Sequence, residues 1–176
     1  MSENVKVSVK NLTKSFGDLL VLDDISFDVK QGEFLCIVGP TGCGKTTFLN
    51  SLTKLYDIDK GTITLNGEAI DPKKQNIAYI FQEYSTMEWL TVEENIGYGL
   101  RIKHVPKEES AKRVAEVMEI VGLTKYAKYY PRQLSASMLQ RVVIARAFAV
   151  EPELLLFTPD GQETAETRRI YHHQED

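Results

Sequence analysis

Residues Gly39 to Thr46 read GPTGCGKT, which places two glycines, a lysine and a threonine at the spacing G-x-x-x-x-G-K-[ST]. Glycines let successive backbone N–H groups turn inward around phosphate oxygens. Lys45 supplies a charge for the outer phosphates, and the hydroxyl of Thr46 offers a ligand to Mg²⁺. The pattern therefore predicts binding of nucleotide phosphates together with magnesium.

We expect the whole of this segment and the residue after it to line the phosphates. The predicted phosphate site consists of Gly39, Pro40, Thr41, Gly42, Cys43, Gly44, Lys45, Thr46 and Thr47. A glycine-rich turn that matches by accident is the alternative, and the flanking segments argue against it. The motif alone does not choose among kinases, GTPases and transport ATPases.

A strand and a helix must position this loop. The run GEFLCIVG from Gly32 is apolar without alternation, which is typical of a strand buried on both faces. After the loop, apolar residues recur at helical spacing, at Phe48, Leu49, Leu52 and Leu55. In such a context the helix N-terminus adds a favourable dipole for phosphate.

Periodicity also predicts the elements around this unit. Alternating apolar residues at 5–9 and 25–29, with the Asn66-Gly67 turn signal in GTITLNGEAI, predict an antiparallel sheet in the N-terminal third. Helical spacing predicts helices from Pro106 to Gly122 and from about Ser135 to Val150.

The apolar run LLLF at Leu154 then predicts a return to the buried sheet. We expect one α/β domain over residues 1–176, incomplete at its C-terminus, with a helical insert between roughly 83 and 147.

Composition limits the class of protein. The chain has 176 residues, 43% hydrophobic and 26% charged, with a net charge of -4, so it predicts a soluble globular domain without an overall basic surface for nucleic acid. The N-terminus lacks the apolar core of a signal peptide, and the apolar runs are too short to span a bilayer. We expect a cytoplasmic chain with Cys36 and Cys43 as free thiols.

Around the glycine loop the sequence resembles the ATP-binding subunits of ABC transporters, from Val5 to Phe157. The segments that carry the likeness are NLTKSFG at Asn11, VLDDISFDVKQGE at Val21, IAYIFQE at Ile77, LTVEENI at Leu90 and LSASMLQRVVIARAF at Leu134. A GTPase is less favoured because no N-K-x-D motif is present. With Trp89 just before LTVEENI, the sequence most resembles the importer branch that serves nitrate, sulfonate and taurine. Glu88 stands where that branch usually has proline.

The resemblance implies a P-loop NTPase (RecA-like) α/β core with an N-terminal antiparallel β-subdomain and a helical insert. It implies ATP and Mg²⁺ as cofactors. Its implied partners are a transmembrane permease subunit, a second ATP-binding subunit in a homo- or heterodimer and, indirectly, a substrate-binding protein. The chain would then lie on the inner face of the cell membrane, attached through the permease.

The resemblance also assigns roles to single residues. Phe16 matches the aromatic residue that stacks on adenine, and ordinary core packing is the alternative. Gln82 matches the glutamine that reaches Mg²⁺ and the attacking water, so it is both a metal ligand and the candidate catalytic residue. Ser135 would present its hydroxyl to ATP on the partner subunit, or is simply a helix N-cap. Trp89 either faces the membrane subunit or packs inside its own domain.

Two places depart from the family pattern. Ala136 and Ser137 replace the glycines of L-S-G-G, and a Cβ hinders close backbone approach. After LLLF the family has Asp-Glu-Pro, which holds Mg²⁺ and polarises water, whereas this chain has Thr158 and Pro159. Asp160 could replace the lost acid, but a solvated turn fits its place after proline better.

The likeness resumes at GQETAETRR, and the tail residues His172 and His173 come too soon to match the family's switch histidine. Three interpretations stay open. The chain is an importer ATPase, a nucleotide-binding regulatory or structural subunit without hydrolysis, or a decayed product that folds poorly.

Overall fold

The structure is a computed structural model that describes residues 4–80 and 85–158. The chain divides into two compact units, one up to Gln75 and the other beginning at Asn76. Gln82, Asp160 and the C-terminal histidines lie outside the described residues. The prediction of a single domain with a helical insert between roughly 83 and 147 stays a prediction.

The first unit contains the predicted antiparallel sheet. Its strands follow the order β2-β1-β3-β4, and all neighbouring pairs are antiparallel. The strands are β1 (Val5–Phe16), β2 (Leu19–Lys30), β3 (Lys60–Leu65) and β4 (Glu68–Ala69). The turn between β3 and β4 has positive φ at Asn66 (54°) and Gly67 (81°), the combination that an Asn-Gly hairpin turn requires. The hairpin prediction is therefore confirmed.

Helix α1 (Lys45–Leu52) covers this sheet through its apolar face. Val9 on β1 is 1% exposed and Phe48 on α1 is 5% exposed. The Phe48 ring contacts Phe27 of β2, with 5.5 Å between ring centroids. Because α1 starts at the end of the glycine loop, this packing fixes the loop against the sheet.

The predicted strand in GEFLCIVG is wrong for this structure. Gly32 turns the chain out of β2 with a φ of 76°, and among the described residues no strand pairs with residues 33–40. A strand is buried on both faces only where neighbouring strands supply hydrogen bonds and cover. Here Phe34 is 89% exposed and Val38 81% exposed, and Cys36 is exposed as well.

The second unit combines a parallel strand pair with three helices. Strands β5 (Ile77–Ile80) and β6 (Leu154–Phe157) pair in parallel, with Ile77 opposite Leu154. The helices are α2 (Val92–Ile102), α3 (Lys107–Ile120) and α4 (Ala136–Ala149). The predicted α3, α4 and LLLF strand are confirmed.

One buried cluster holds the three helices together. It comprises Val92, Ile96, Leu100, Val114, Met118, Leu123, Val142, Ala145 and Ala149. A second cluster joins α4 to β5 through Ala78, Ile80, Val143 and Ala147. Within the described ranges, no helix is both long and apolar enough to cross a bilayer.

Candidate functional site

The glycine loop of residues 39–44 follows a path that side chains would obstruct. Gly42 has a φ of 83° and Gly44 a φ of 96°, where any residue with a Cβ would be strained. At Gly39 the restriction is steric, because an added Cβ would lie 2.7 Å from the sulfur of Cys43. Two of the glycines predicted to cradle phosphate, Gly42 and Gly44, are therefore required by the backbone conformation, and a side chain at Gly39 would displace the Cys43 sulfur.

The helix after the loop begins with free hydrogen-bond donors. Gly44 is the N-cap of α1 and makes no side-chain cap hydrogen bond, and the first turn carries no acidic residue. The N–H groups of Lys45, Thr46 and Thr47 have no acceptor within the helix, as in any first turn. These donors and the positive end of the helix dipole form an anion-binding end.

Lys45 folds back over the loop that precedes it. Its ammonium donates to the carbonyl oxygens of Gly39 at 2.5 Å and Pro40 at 2.7 Å, and it lies 3.6 Å from the Cys43 sulfur. Pro40 also accepts from the Cys43 N–H at 3.3 Å, which closes the loop into a turn. Neutral carbonyls bind an ammonium more weakly than phosphate oxygens do. The Lys45 ammonium therefore lies beside the predicted position of the phosphates.

Phe16 ends β1 with its ring 44% exposed, so it is not an ordinary core residue. The Tyr56 ring meets it edge-on, at 5.3 Å between centroids and 82° between planes. The Lys14 ammonium lies over the Phe16 ring, 5.1 Å from the centroid. The ring is thus partly open to solvent and held by neighbours on two sides.

Strand β2 connects the Phe16 ring with the glycine loop. Phe16 pairs with Leu19, and a Cβ added at Gly44 would lie 3.1 Å from the backbone oxygen of Val21 and 3.0 Å from the side chain of Leu22. The three steps from Leu19 to Leu22 span about 10 Å along a strand. Phe16 and the glycine loop therefore both lie against one short part of β2.

Arg146 of α4 holds the chain just after Gln82. Its guanidinium donates to the backbone oxygen of Ser85 at 2.8 Å and to the Ser85 hydroxyl at 2.6 Å. Burial lowers the pKa of Arg146 because it disfavours the charged form.

The segment with Trp89 is fixed by a buried amide. Asn95 of α2 is 0% exposed; its side-chain oxygen accepts from the Met87 N–H at 2.8 Å, and its amide donates to the carbonyls of Met87 at 3.1 Å, Leu90 at 3.0 Å and Thr91 at 3.0 Å. Trp89 between them is 75% exposed. This exposure argues against packing of Trp89 inside its own domain, and contact with a membrane subunit stays a prediction.

Ser135 is the N-cap of α4, as one of the two alternatives predicted. Its hydroxyl accepts from the Met138 N–H at 3.3 Å and lies 3.1 Å from the hydroxyl of Ser137. The Cβ atoms of Ala136 and Ser137 stand where the family pattern has glycines. A role for Ser135 toward a partner's nucleotide stays a proposal.

Thr158 follows β6 and carries no charge. Its N–H donates to the Ile80 oxygen at 3.1 Å, which extends the parallel ladder by one residue. Its hydroxyl hydrogen-bonds with that of Tyr79 at 3.0 Å. Among the described residues no group of three or more His, Cys, Asp or Glu side chains could hold a metal ion.

Sequence reasoning missed several residues that support these segments. Asn95 and Arg146 lie within LTVEENI and IARAF, so the resemblance pointed at their segments but gave them no role. No sequence pattern pointed to Tyr56 or Asp59. Asp59 accepts from the N–H of Ser15, 44 positions away along the chain, and no local pattern encodes such a contact.

Known proteins that are similar to this chain are components of ABC transporters. The family described as ABC transporter matches residues 22–157, well over half of the chain. The sulfate/thiosulfate import ATP-binding protein CysA of Nocardia farcinica is 38% identical over 92% of this chain and 50% of its own length. The Fe(3+) ions import ATP-binding protein FbpC of Fusobacterium nucleatum is 38% identical over 89% of this chain and 42% of its own. The chain thus spans about half the length of the curated relatives it matches.

Solved structures give the same fold. An ATP-binding subunit of an ABC transporter aligns with a TM-score of 0.79 at 25% identity, over 93% of this chain and 70% of that one. A subunit of the cbiONQ ABC transporter complex of Clostridium perfringens aligns with a TM-score of 0.80, over 88% of this chain and 65% of that one. Its identity of 24% supports the fold alone.

Proposed function

Because this chain belongs to the ABC transporter family, we propose that it is the ATP-binding subunit of an importer, which couples ATP to the movement of a small solute across a membrane. The observation that carries the proposal is the glycine loop, whose backbone requires glycine at positions 42 and 44 and leads into the uncapped N-terminus of α1. Importers of sulfate or thiosulfate and of Fe(3+) are among the relatives. A small anion as the solute, from the nitrate, sulfonate and taurine branch, is part of the proposal.

The chain's own groups would hold ATP from both ends. The base stacks on the half-exposed ring of Phe16, and the phosphates meet the N–H donors of the loop and of the first turn of α1. Lys45 leaves the carbonyls of Gly39 and Pro40 for the charged phosphate oxygens, which bind it more strongly. ATP binding would thus replace the contacts of Lys45 with backbone carbonyls by contacts with phosphate oxygens.

Magnesium would arrive with the nucleotide, and the available donors fit it. The Thr46 side chain is exposed and makes no hydrogen bond to the described residues, so its hydroxyl is available as a hard oxygen ligand. Gln82 would add an amide oxygen, and the phosphates supply further oxygens. When bound, the ion neutralises charge on the phosphates and orients them.

Partner subunits follow from the same proposal. The exposed Trp89, on a segment held by Asn95, suits contact with a permease, because a preorganised aromatic side chain supplies much binding area at low entropic cost. A permease would keep the chain at the inner face of the cell membrane. Ser135 at the start of α4 would face the nucleotide of a second ATP-binding subunit.

A second function is a subunit that binds nucleotide without hydrolysing it. The observation that favours it is Thr158, a neutral residue bonded to Tyr79 at the end of β6, where the resemblance places the metal-holding aspartate. Such a subunit would regulate or support an active homologue.

Calorimetric titration of the purified chain with Mg-ATP and Mg-GTP tests the binding function. We expect ATP to bind in preference to GTP, and Lys45→Ala to abolish binding, whereas Lys73→Ala, an exposed lysine of the same unit, leaves it intact. ATP at a hundredfold excess over Kd should raise the free energy of unfolding by about 2.7 kcal/mol. Equal binding by the wild type and Lys45→Ala contradicts the proposal.

A further inference from the structure

The residues before Phe16 are tied to a distant part of the same unit. Asp59, between α1 and β3, accepts from the Ser15 N–H at 2.6 Å and from the Lys14 ammonium at 3.3 Å. Its own N–H donates to the Thr13 oxygen at 3.0 Å. Three consecutive residues that lead into Phe16 are thus fixed by one aspartate.

The Lys14 contact reaches the ring itself. The Lys14 side chain is only 13% exposed, although lysine normally extends into water, and its ammonium lies between Asp59 and the Phe16 ring. A cation beside a ring is attracted to its negative face. The charge of Asp59 therefore holds in place the cation that contacts Phe16.

Tyr56 contacts the ring from another direction and belongs to the segment that leaves α1. Its N–H donates to the oxygen of Asn50 within α1 at 3.3 Å, and its ring meets Phe16 edge-on. Edge-on aromatic pairs are favourable beyond the area they bury. Because α1 starts in the phosphate loop, the same helix leads from the phosphate donors to the support of the Phe16 ring.

We propose that Tyr56 and Asp59 are positioning residues for the nucleotide base, which set the Phe16 ring in the orientation that stacks on adenine. The inference rests on the proposed function, in which Phe16 binds the base. A ring already held by Tyr56, Lys14 and Asp59 loses little freedom when the base arrives, so the support contributes to affinity through preorganisation. We expect neither residue to contact the phosphates.

Two ligands separate base positioning from a general structural role. The affinities of Mg-ATP and of inorganic tripolyphosphate with Mg²⁺, which has no base, are measured by calorimetry on the full chain and on Tyr56→Leu, Tyr56→Phe and Asp59→Ala. We expect Tyr56→Leu and Asp59→Ala each to weaken ATP binding by about threefold to tenfold, the range of an aromatic pair, with tripolyphosphate binding unchanged. Tyr56→Phe keeps the ring and should bind ATP like the wild type.

Asp57→Ala is the matched control for Asp59→Ala, because Asp57 is an exposed aspartate two positions away. Equal losses for ATP and tripolyphosphate overturn the proposal, since the residues then act on the phosphate loop or on the whole fold. Undiminished ATP binding by Tyr56→Leu and Asp59→Ala, while Phe16→Leu weakens it, overturns it as well. Failure of the proposed function has a different signature, in which Lys45→Ala changes the affinity of neither ligand.

Discussion

The ammonium of Lys45 lies 3.6 Å from the thiol sulfur of Cys43, inside the loop that we assign to phosphate binding. Both cysteines are exposed thiols in this structure, contrary to the prediction that Cys36 lies in a buried strand. The two therefore differ in their neighbours, since Cys36 belongs to the unpaired run 33–40 and Cys43 to the glycine loop.

Alkylation should distinguish the two thiols through the nucleotide. We expect a maleimide to modify both cysteines in the free chain, and Mg-ATP to protect Cys43 alone, because bound phosphates and the relocated Lys45 cover the loop. Peptide mass spectrometry with and without ATP measures this. Lys45→Ala serves as the control, in which protection should vanish; protection of Cys36 to the same extent would contradict the assignment.

Hydrolysis should be absent from the isolated chain. Thr158 and Pro159 stand at the positions where the resemblance has the metal-holding and water-polarising acids, and losing a general base costs about 10²- to 10⁴-fold in rate. A phosphate-release assay should find no turnover above that of Lys45→Ala, which controls for contaminating ATPases. Thr158→Asp with Pro159→Glu should not restore activity, because Ala136 and Ser137 still replace the signature glycines. Turnover that depends on Lys45, near one per second, would show that another acid serves the reaction.

Replacing Asn95 by alanine should loosen the Trp89 segment and destabilise the fold. The change leaves the Met87 N–H and the Leu90 oxygen without their partner inside the protein, and we expect a loss of about 3 kcal/mol in the free energy of unfolding by urea. Trp89 is the only tryptophan of the chain, so its fluorescence reports the segment directly. Glu119→Ala, at an exposed position of α3, should change neither quantity. A stable Asn95→Ala variant with unchanged fluorescence would refute the anchor.

Asp59 should give stability that disappears in acid. The hydrogen bond from the Ser15 N–H, then the Lys14 contacts, lower its pKa below the ordinary value of 3.8, so the unfolded state binds a proton more readily than the folded state. Its stabilisation is therefore complete above pH 3.8 and is lost as pH falls through the lower folded pKa. Urea unfolding of the wild type and Asp59→Asn at a series of pH values measures the difference in free energy of unfolding, which should begin to shrink once the pH falls below 3.8. A constant difference down to the acid limit would contradict this.

Elements encoded by neighbouring residues could be predicted from the sequence. Alternating apolar residues predicted β1 and β2, and the Asn66-Gly67 pair predicted the hairpin of β3 and β4. Apolar residues at helical spacing, with Pro106 and Gly122 at the two ends, predicted α3. The glycine loop was recognisable from local sequence as well, although Gly44 also lies close to Val21 and Leu22 of β2. In the strands, the hairpin and α3, the cause of the structure lies within a few positions of the effect.

Sequence-based prediction failed where the structure depends on residues that are distant along the chain. The apolar run from Phe34 to Val38 shows only that these residues would favour burial, whereas a buried strand also needs neighbouring strands. The support of Phe16 by Tyr56 and Asp59 is equally non-local, because the contacts join β1 to a segment more than 40 positions later. The fold class was therefore predictable, and the contacts that support the Phe16 ring were not; the phosphate site stays a prediction.

The exposed run Phe34–Val38 also bears on the fate of the polypeptide after synthesis. Five consecutive apolar residues without charge, glycine or proline are the kind of segment that stacks into intermolecular cross-β ribbons. In cells, chaperones bind proteins that expose such segments and proteases degrade them. We therefore expect exposure of residues 34–38 to lower the abundance of this polypeptide in a cell, independently of how well its glycine loop holds a nucleotide.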